Sequence, residues 1–199
     1  MGMDAKPLLV IGAIVGIILL AVVFVAATAI LSYNNLTNLS LKSDLAWSKV
    51  ETVYQERFDL IPNIAATVKS ETGAETSLLR DLADARSNYM NAKTVDDKVA
   101  ASNQLDASFA KVLLLTENYP NLQFSKGYQD LRVTISGQEN RIRVERNNYN
   151  EAVTEYNLAV RSFPSNLYAM LFGFKERQTF KSVSGAETAP DMAKILNVQ

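Results

Sequence analysis

The stretch FSKGYQDLRVTISGQENRIRVERNNYNEAVTEYNLAVRSF, residues 124–163, decides the fold. Phe124, Tyr128, Leu131, Ile135, Gln138, Ile142, Glu145, Tyr149, Ala152, Tyr156, Ala159 and Phe163 follow one another in steps of four and three, and ten of these twelve are apolar or aromatic. Such steps return to one side of a 3.6-residue helix. The segment therefore predicts a coiled-coil-like amphipathic helix of about 60 Å. Pro164 stops it.

Upstream segments carry the same period. Trp47, Val50, Tyr54, Phe58 and Ile61 make one face; Ile64, Val68, Leu78, Leu79, Leu82, Ala85 and Tyr89 make a second, weakened at Gly73; Val95, Val99, Leu105, Phe109, Val112 and Leu113 make a third. The breaks between them have their own chemistry. Asp59-Leu60-Ile61-Pro62-Asn63 interrupts the first segment, because residues before a proline avoid the helical region. Thr94-Val95-Asp96-Asp97 reads as an N-cap with a carboxylate three residues on, and Asn118-Tyr119-Pro120-Asn121 as a turn. No segment alternates at period two for long enough to be a strand. Four apolar stripes must face one another to leave water. The expected fold is all-α: an N-terminal transmembrane helix followed by an elongated antiparallel four-helix bundle.

The membrane helix is expected at residues 8–31, a run without a charge in which Thr28 is the one strongly polar residue. As a helix it is about 36 Å long, enough to cross a hydrocarbon core of about 30 Å. A cleaved signal peptide is the weaker reading: Ala27-Thr28-Ala29 has the small-x-small pattern, but the run is too long and Lys6 is opposed by Asp4. Gly12 and Gly16 form a G-x-x-x-G that would let two such helices pair. Lys6 on one side and Lys42 and Lys49 on the other give a slight lean to a cytoplasmic main domain. The expected organisation is a short polar tail (1–7), the membrane helix (8–31), the bundle (32–164), an apolar and aromatic segment edged with basic residues (165–180) and a polar, mobile tail (181–199).

Composition excludes much chemistry. The chain has no His and no Cys, so disulfides, thiolate catalysis and the commonest general base and metal ligand are all absent. Lys plus Arg is 20 against 21 Asp plus Glu, a net charge of −1, which argues against nucleic acid as a partner. Neither a P-loop, a nucleotide-binding glycine fingerprint nor a nucleophile elbow occurs. No catalytic, cofactor-binding or metal residues are expected.

The candidate sites are therefore surfaces. Tyr149, Asn150, Tyr156, Asn157 and Phe163 are candidates for helix packing or a subunit interface, since Asn costs helix propensity that interhelical or intersubunit hydrogen bonds would offset. Asp59, Pro62 and Asn63 are expected to cap and turn the chain at the bundle tip, the alternative being a ligand site there. Arg86 and Glu117 are a possible ion pair. If short turns join the helices, Phe163 arrives near the bilayer. Leu167, Met170, Leu171, Phe172 and Phe174, beside Lys175, Arg177 and Lys181, would then meet the membrane interface; the alternative is packing on the chain's own bundle or a neighbouring subunit.

Several short motifs occur in order. They are Tyr33-Asn34, Ala46-Trp47, Arg57-Phe58-Asp59-Leu60-Ile61-Pro62-Asn63, Val68-Lys69, Ala85-Arg86, Glu117-Asn118-Tyr119-Pro120-Asn121-Leu122, Tyr149-Asn150, Val153, Tyr156-Asn157, Phe163-Pro164-Ser165-Asn166 and Gly173-Phe174. From about residue 30 to 180 the set resembles the LemA family. The resemblance implies a bacterial, single-anchor membrane protein with a long helical bundle and no defined activity. One departure is that Ser70, Glu71, Ala74 and Glu75 stand where members often carry Gly-Tyr and His-Glu. The expected function is a membrane-anchored scaffold that self-associates or recruits other membrane proteins. The alternative is a ligand-sensing module binding a small molecule or peptide within the bundle.

Overall fold

A proline decides where the first helix stops. Pro62 has no N–H to give the Phe58 carbonyl, and its ring crowds that oxygen. In the computed structural model, which describes residues 5–72 and 77–181, with side chains over 9–70 and 77–181, helix α1 (Ala5–Phe58) ends at that residue. Leu60 N–H then bonds the Arg57 carbonyl at 3.1 Å and Ile64 N–H the Leu60 carbonyl at 2.9 Å, opening α2 (Ile61–Thr72). There follow α3 (Ser77–Asn91), α4 (Val95–Leu113), α5 (Leu115–Asn118), a 3-10 turn (Pro120–Phe124), α6 (Lys126–Arg161) and α7 (Ser165–Phe172). Among the described residues there is no strand. Gly73, Ala74, Glu75, the first four residues and the tail beyond Lys181 lie outside the described residues.

The candidate membrane helix is not a separate element. α1 runs without a break from the apolar segment into the body. Thr28 costs nothing there, because its hydroxyl lies 3.0 Å from the carbonyls of both Phe24 and Val25 on its own helix. The described residues hold one helix long and apolar enough to cross a membrane, and no residue of its most apolar 18-residue window is buried.

Contacts divide the chain into two units, Met1–Glu56 with Arg141–Arg177, and Arg57–Asn140 with Gln178–Gln199. In the first, α1 lies along the second half of α6. Glu56 meets Arg141, Tyr54 meets Arg146, Trp47 packs edge-on against Tyr149 at 5.3 Å, Ser43 Oγ donates to the Ala152 carbonyl at 3.3 Å, and Lys42 pairs with Glu155 at 2.5 Å. Leu36, Val50, Tyr54, Tyr149 and Val153 are buried completely along this seam.

In the second unit α3 packs on α4. Asn88 Nδ2 donates to Gln104 Oε1 at 2.9 Å and Lys111 pairs with Asp81 at 2.7 Å, over fully buried Leu82, Ala85, Leu105 and Phe109. Tyr128 on α6 donates its hydroxyl to the Val112 carbonyl at 2.7 Å. Arg57 meets Glu139, and ten residues on, a side-chain carbon of Thr67 lies 3.8 Å from where Gly127 would carry a Cβ. The partner number on α6 thus keeps falling from the end of α1 into α2. The chain does not double back at Asp59–Leu60, which corrects the expected bundle-tip position of Asp59, Pro62 and Asn63. Pro62 breaks the hydrogen-bond ladder without reversing it.

The long stripe is buried where it is helical. Tyr128, Leu131, Ile135, Ile142, Tyr149, Ala152 and Tyr156 are all buried, and Gln138, Glu145 and Ala159 are half-buried. Its ends fall off the helix: Phe124 belongs to the 3-10 turn and Phe163 follows the end of α6, and both are exposed.

The N-cap of α4 forms as its sequence predicts. Thr94 Oγ1 accepts from Asp97 N–H at 3.1 Å, and Asp97 Oδ2 accepts from Thr94 N–H at 3.3 Å. Thr94→Ala should remove about 1 kcal/mol of stability. It would be read as a lower urea midpoint with an unchanged slope in circular dichroism at 222 nm.

Candidate functional site

Asn157 repays its poor helix propensity in an unexpected way. Its Nδ2 donates to the Arg177 carbonyl at 2.9 Å while its Oδ1 accepts from the Arg177 N–H at 3.0 Å. One amide thus satisfies both backbone groups of a residue in an extended strap, as a neighbouring strand would. Tyr156, one residue earlier, donates its hydroxyl to the Lys175 carbonyl at 2.9 Å. Arg177 completes the clasp. Its guanidinium pairs with Asp44 at 2.7 Å, donates to Ser40 Oγ at 2.9 Å and lies 5.1 Å from the Tyr156 ring centre. Arg161 grips Glu176 with Nε at 2.7 Å, which holds that carboxyl below its ordinary range. The strap of residues 173–177 is therefore fastened to both α1 and α6.

Sequence reasoning singled out Asn157 and Tyr156 but assigned their partners to another helix or subunit. The strap partner was hidden because an extended segment leaves no periodicity to read. Tyr149 is buried against Trp47, so it serves helix packing, and Asn150 is half-buried beside it.

The strap fixes one end of α7. Gly173 has φ of 79°, a left-handed conformation in which an L side chain is strained, and Phe174 N–H reaches back to the Ala169 carbonyl at 2.9 Å. At the other end a cis peptide bond joins Phe163 to Pro164. So held, α7 lies against the apolar run of α1. The Tyr168 hydroxyl is 2.7 Å from Thr28 Oγ1 and 3.4 Å from the Val25 carbonyl. Phe172 and Phe174 meet the Tyr33 ring edge-on at 5.0 and 5.8 Å. Between α7 and α1 runs a cavity of about 500 Å³ lined by Ile18, Ala21, Val22, Val25, Ala26, Ala29, Tyr168 and Leu171. Met170 and Leu171 are 82% and 73% exposed, and Phe163 is 81% exposed.

Another side of α1 is also bare. Counting 3.6 residues per turn, Gly12, Gly16, Val23, Leu41 and Leu45 lie about 120–180° around the helix from buried Leu36 and Tyr54. Leu41 and Leu45 are 61% and 63% exposed, and a Cβ on either glycine would meet nothing within 4 Å.

In the second unit, sequence reasoning named Arg57 within a motif but missed its role. Arg57 is 1% exposed, pairs with Asp106 at 2.7 Å and with Glu139, and lies 4.1 Å from the Phe109 ring centre. A cation between two carboxylates ties the end of α1 to α4 and α6. Arg86 lies over the Phe58 ring at 5.7 Å, and among the described residues no ion pair joins it to Glu117. Also among the described residues, no group of three or more carboxylates is placed to hold a metal ion. Glu117, Asp81 and Lys111 instead line an open groove of about 390 Å³ with Leu114 and Tyr119.

The LemA family model matches residues 46–193. Similar proteins include magnetosome proteins MamQ 2 and MamQ 1 of Paramagnetospirillum magneticum, each 24% identical over 202 residues and covering 88% of this chain and 74% of theirs. Magnetosome protein MamQ of Magnetospirillum gryphiswaldense is 22% identical over 195 residues, covering 85% of this chain and 72% of its own.

Two outcomes are expected. Arg57→Ala leaves two carboxylates facing each other without their cation. It should cost about 3 kcal/mol, the lower end for a broken buried pair because Glu139 keeps part of its surface in water; an unchanged denaturation midpoint would contradict the role assigned to Arg57. Burial, opposed by the nearby Arg177 charge, raises the Tyr156 phenol above its ordinary 10.0. The unfolded chain therefore binds fewer protons than the folded one as pH passes about 10, and stability falls with rising pH. Tyr156→Phe should flatten that alkaline loss in a pH series of thermal melts.

Proposed function

The chain belongs to the LemA family, and on that premise we propose that it is a non-catalytic, single-pass structural protein that self-associates side by side in the membrane. Membership and the one membrane-capable helix among the described residues make it a membrane-associated bacterial chain. The observation that carries the reading is the outward face of α1. Leu41 and Leu45 stand one turn apart in the open, on the side that carries Gly12 and Gly16 within the apolar run. A face with small residues inside the lipid and leucines above it fits a second copy of the same helix, since glycines permit close approach where lipid gives no hydrophobic drive, and the leucines outside the lipid gain by being removed from water.

The body is read as an antiparallel four-helix bundle limited to the second unit: α2 with the end of α1, α3, α4 and the first half of α6. Support comes from partner numbers that fall on one helix as they rise on the other, Asp81 with Lys111 and Asn88 with Gln104 on α3 and α4, and Arg57 with Glu139 on α1 and α6. In the first unit α1 and α6 form a two-helix stem by the same rule. The lack of catalysis is supported by the use of polar groups, since Arg57, Asp106, Glu139, Asp44, Arg161 and Glu176 are engaged in joining the chain to itself. A ligand-sensing module is the second reading, favoured by the groove lined by Asp81, Lys111, Glu117 and Leu114.

The absence of cysteine makes the test direct. In native membranes under mild oxidant, Leu45→Cys should give a disulfide-linked dimer, and Thr154→Cys, exposed on α6, should give far less. Equal, background-level crosslinking at both positions would sink lateral association through α1.

A further inference from the structure

We propose that α7 is a second membrane element: it lies within the leaflet beside the anchor, and the cavity between them takes a lipid acyl chain. The inference rests on the reading that residues 8–31 cross the membrane, and it adds a lipid site to that reading.

Depth is the first argument. Tyr168 is fixed to Thr28 and Val25, three and six residues inside the apolar run that ends at Leu31. At 1.5 Å per residue those positions lie about 5 and 9 Å below the end of the run. Helices that rest in a bilayer interface bury their apolar face about 5–10 Å deep, so the two depths agree. Thr28 and Tyr168 also satisfy each other there, which removes the cost of carrying two hydroxyls below the surface.

The order of residues on either side follows the same gradient. Phe172 and Phe174 pack edge-on against Tyr33, just past the run, where aromatic rings favour the interface. Arg177 then reaches Ser40 and Asp44, a further turn or more toward water. Apolar residues are thus deepest, aromatic residues shallower and charged residues outermost.

The occupant follows from the chemistry of the surface. Leu167 and Met170 are exposed, and Leu171, exposed as well, lines the cavity beside the bare apolar surface of the run. The cavity between the two helices is lined by apolar side chains and the Tyr168 ring. A linear hydrocarbon chain, supplied by the leaflet on both sides, is what such a furrow accepts without an unpaired polar group.

The test uses the full chain in phosphatidylcholine–phosphatidylglycerol vesicles, with a nitroxide on one cysteine at a time: Met170→Cys, Val23→Cys or Lys175→Cys. Collision with oxygen, which enters lipid, is compared with collision with a water-soluble nickel complex. The label at Met170→Cys is expected to read a depth of about 5–10 Å, with Val23→Cys deeper and Lys175→Cys in water. A Met170→Cys label as open to nickel as Lys175→Cys, with Val23→Cys still in lipid, overturns the proposal and leaves the anchor intact. A label at Met170→Cys shielded from both reagents also overturns it, in favour of a protein contact. Nickel access at Val23→Cys overturns the anchor itself.

Discussion

One register between two helices governs the first unit. Glu56 with Arg141, Trp47 with Tyr149, Ser43 with Ala152 and Lys42 with Glu155 are all the same alignment, seen at successive turns. Both helices rise by the same amount per residue, so fixing any one pair fixes the rest. A slip of one residue would rotate Tyr149, Ala152 and Tyr156 off their seam by about 100°. The buried aromatic pair sets that cost, and the exposed ion pairs add little to it. Because α1 is continuous with the apolar run, the register has a consequence far from where it is set. As α6 nears its end at Arg161, the chain that follows must emerge beside Tyr33 and the residues below it.

The strap exploits this. Asn157 holds both backbone groups of Arg177, and the Arg177 side chain reaches across to Asp44 and Ser40. With the strap tied to both helices, α7 has one place to go, and Gly173 makes the turn that returns the chain. The second unit uses a different device, a buried arginine between Asp106 and Glu139. Replacing one partner there strands a charge, so the arrangement is strong against single changes whatever its net stability.

Much of this was legible in the sequence, for identifiable reasons. Period 3.6 marked the buried side of α6 from Tyr128 to Tyr156, and the Thr94–Asp97 box marked the start of α4, because both are local patterns. Periodicity tells which side is covered and says nothing of what covers it. The partners of Asn157 and Arg57 lie 20 and about 50 or 80 residues away in the chain, so composition and spacing carried no trace of them. The break at Pro62 was legible and its direction was not, since a missing N–H ends a ladder whether or not the chain reverses. Phe163 fitted the heptad steps but follows the end of α6, where the period no longer applies.

The central claim is that the register of α6 on α1 delivers α7 onto the apolar run. The most direct measurement is a paired-cysteine crosslink in the full chain, Thr28→Cys with Tyr168→Cys, bridged in native membranes by a reducible bifunctional thiol reagent whose spacer replaces the length of the tyrosine ring, since a direct disulfide needs Cβ atoms about 3.5–4.5 Å apart. The account predicts a bridge within one chain, seen as a reductant-sensitive shift in monomer mobility on a non-reducing gel. A monomer that is never bridged, or bridges formed between chains alone, would contradict it.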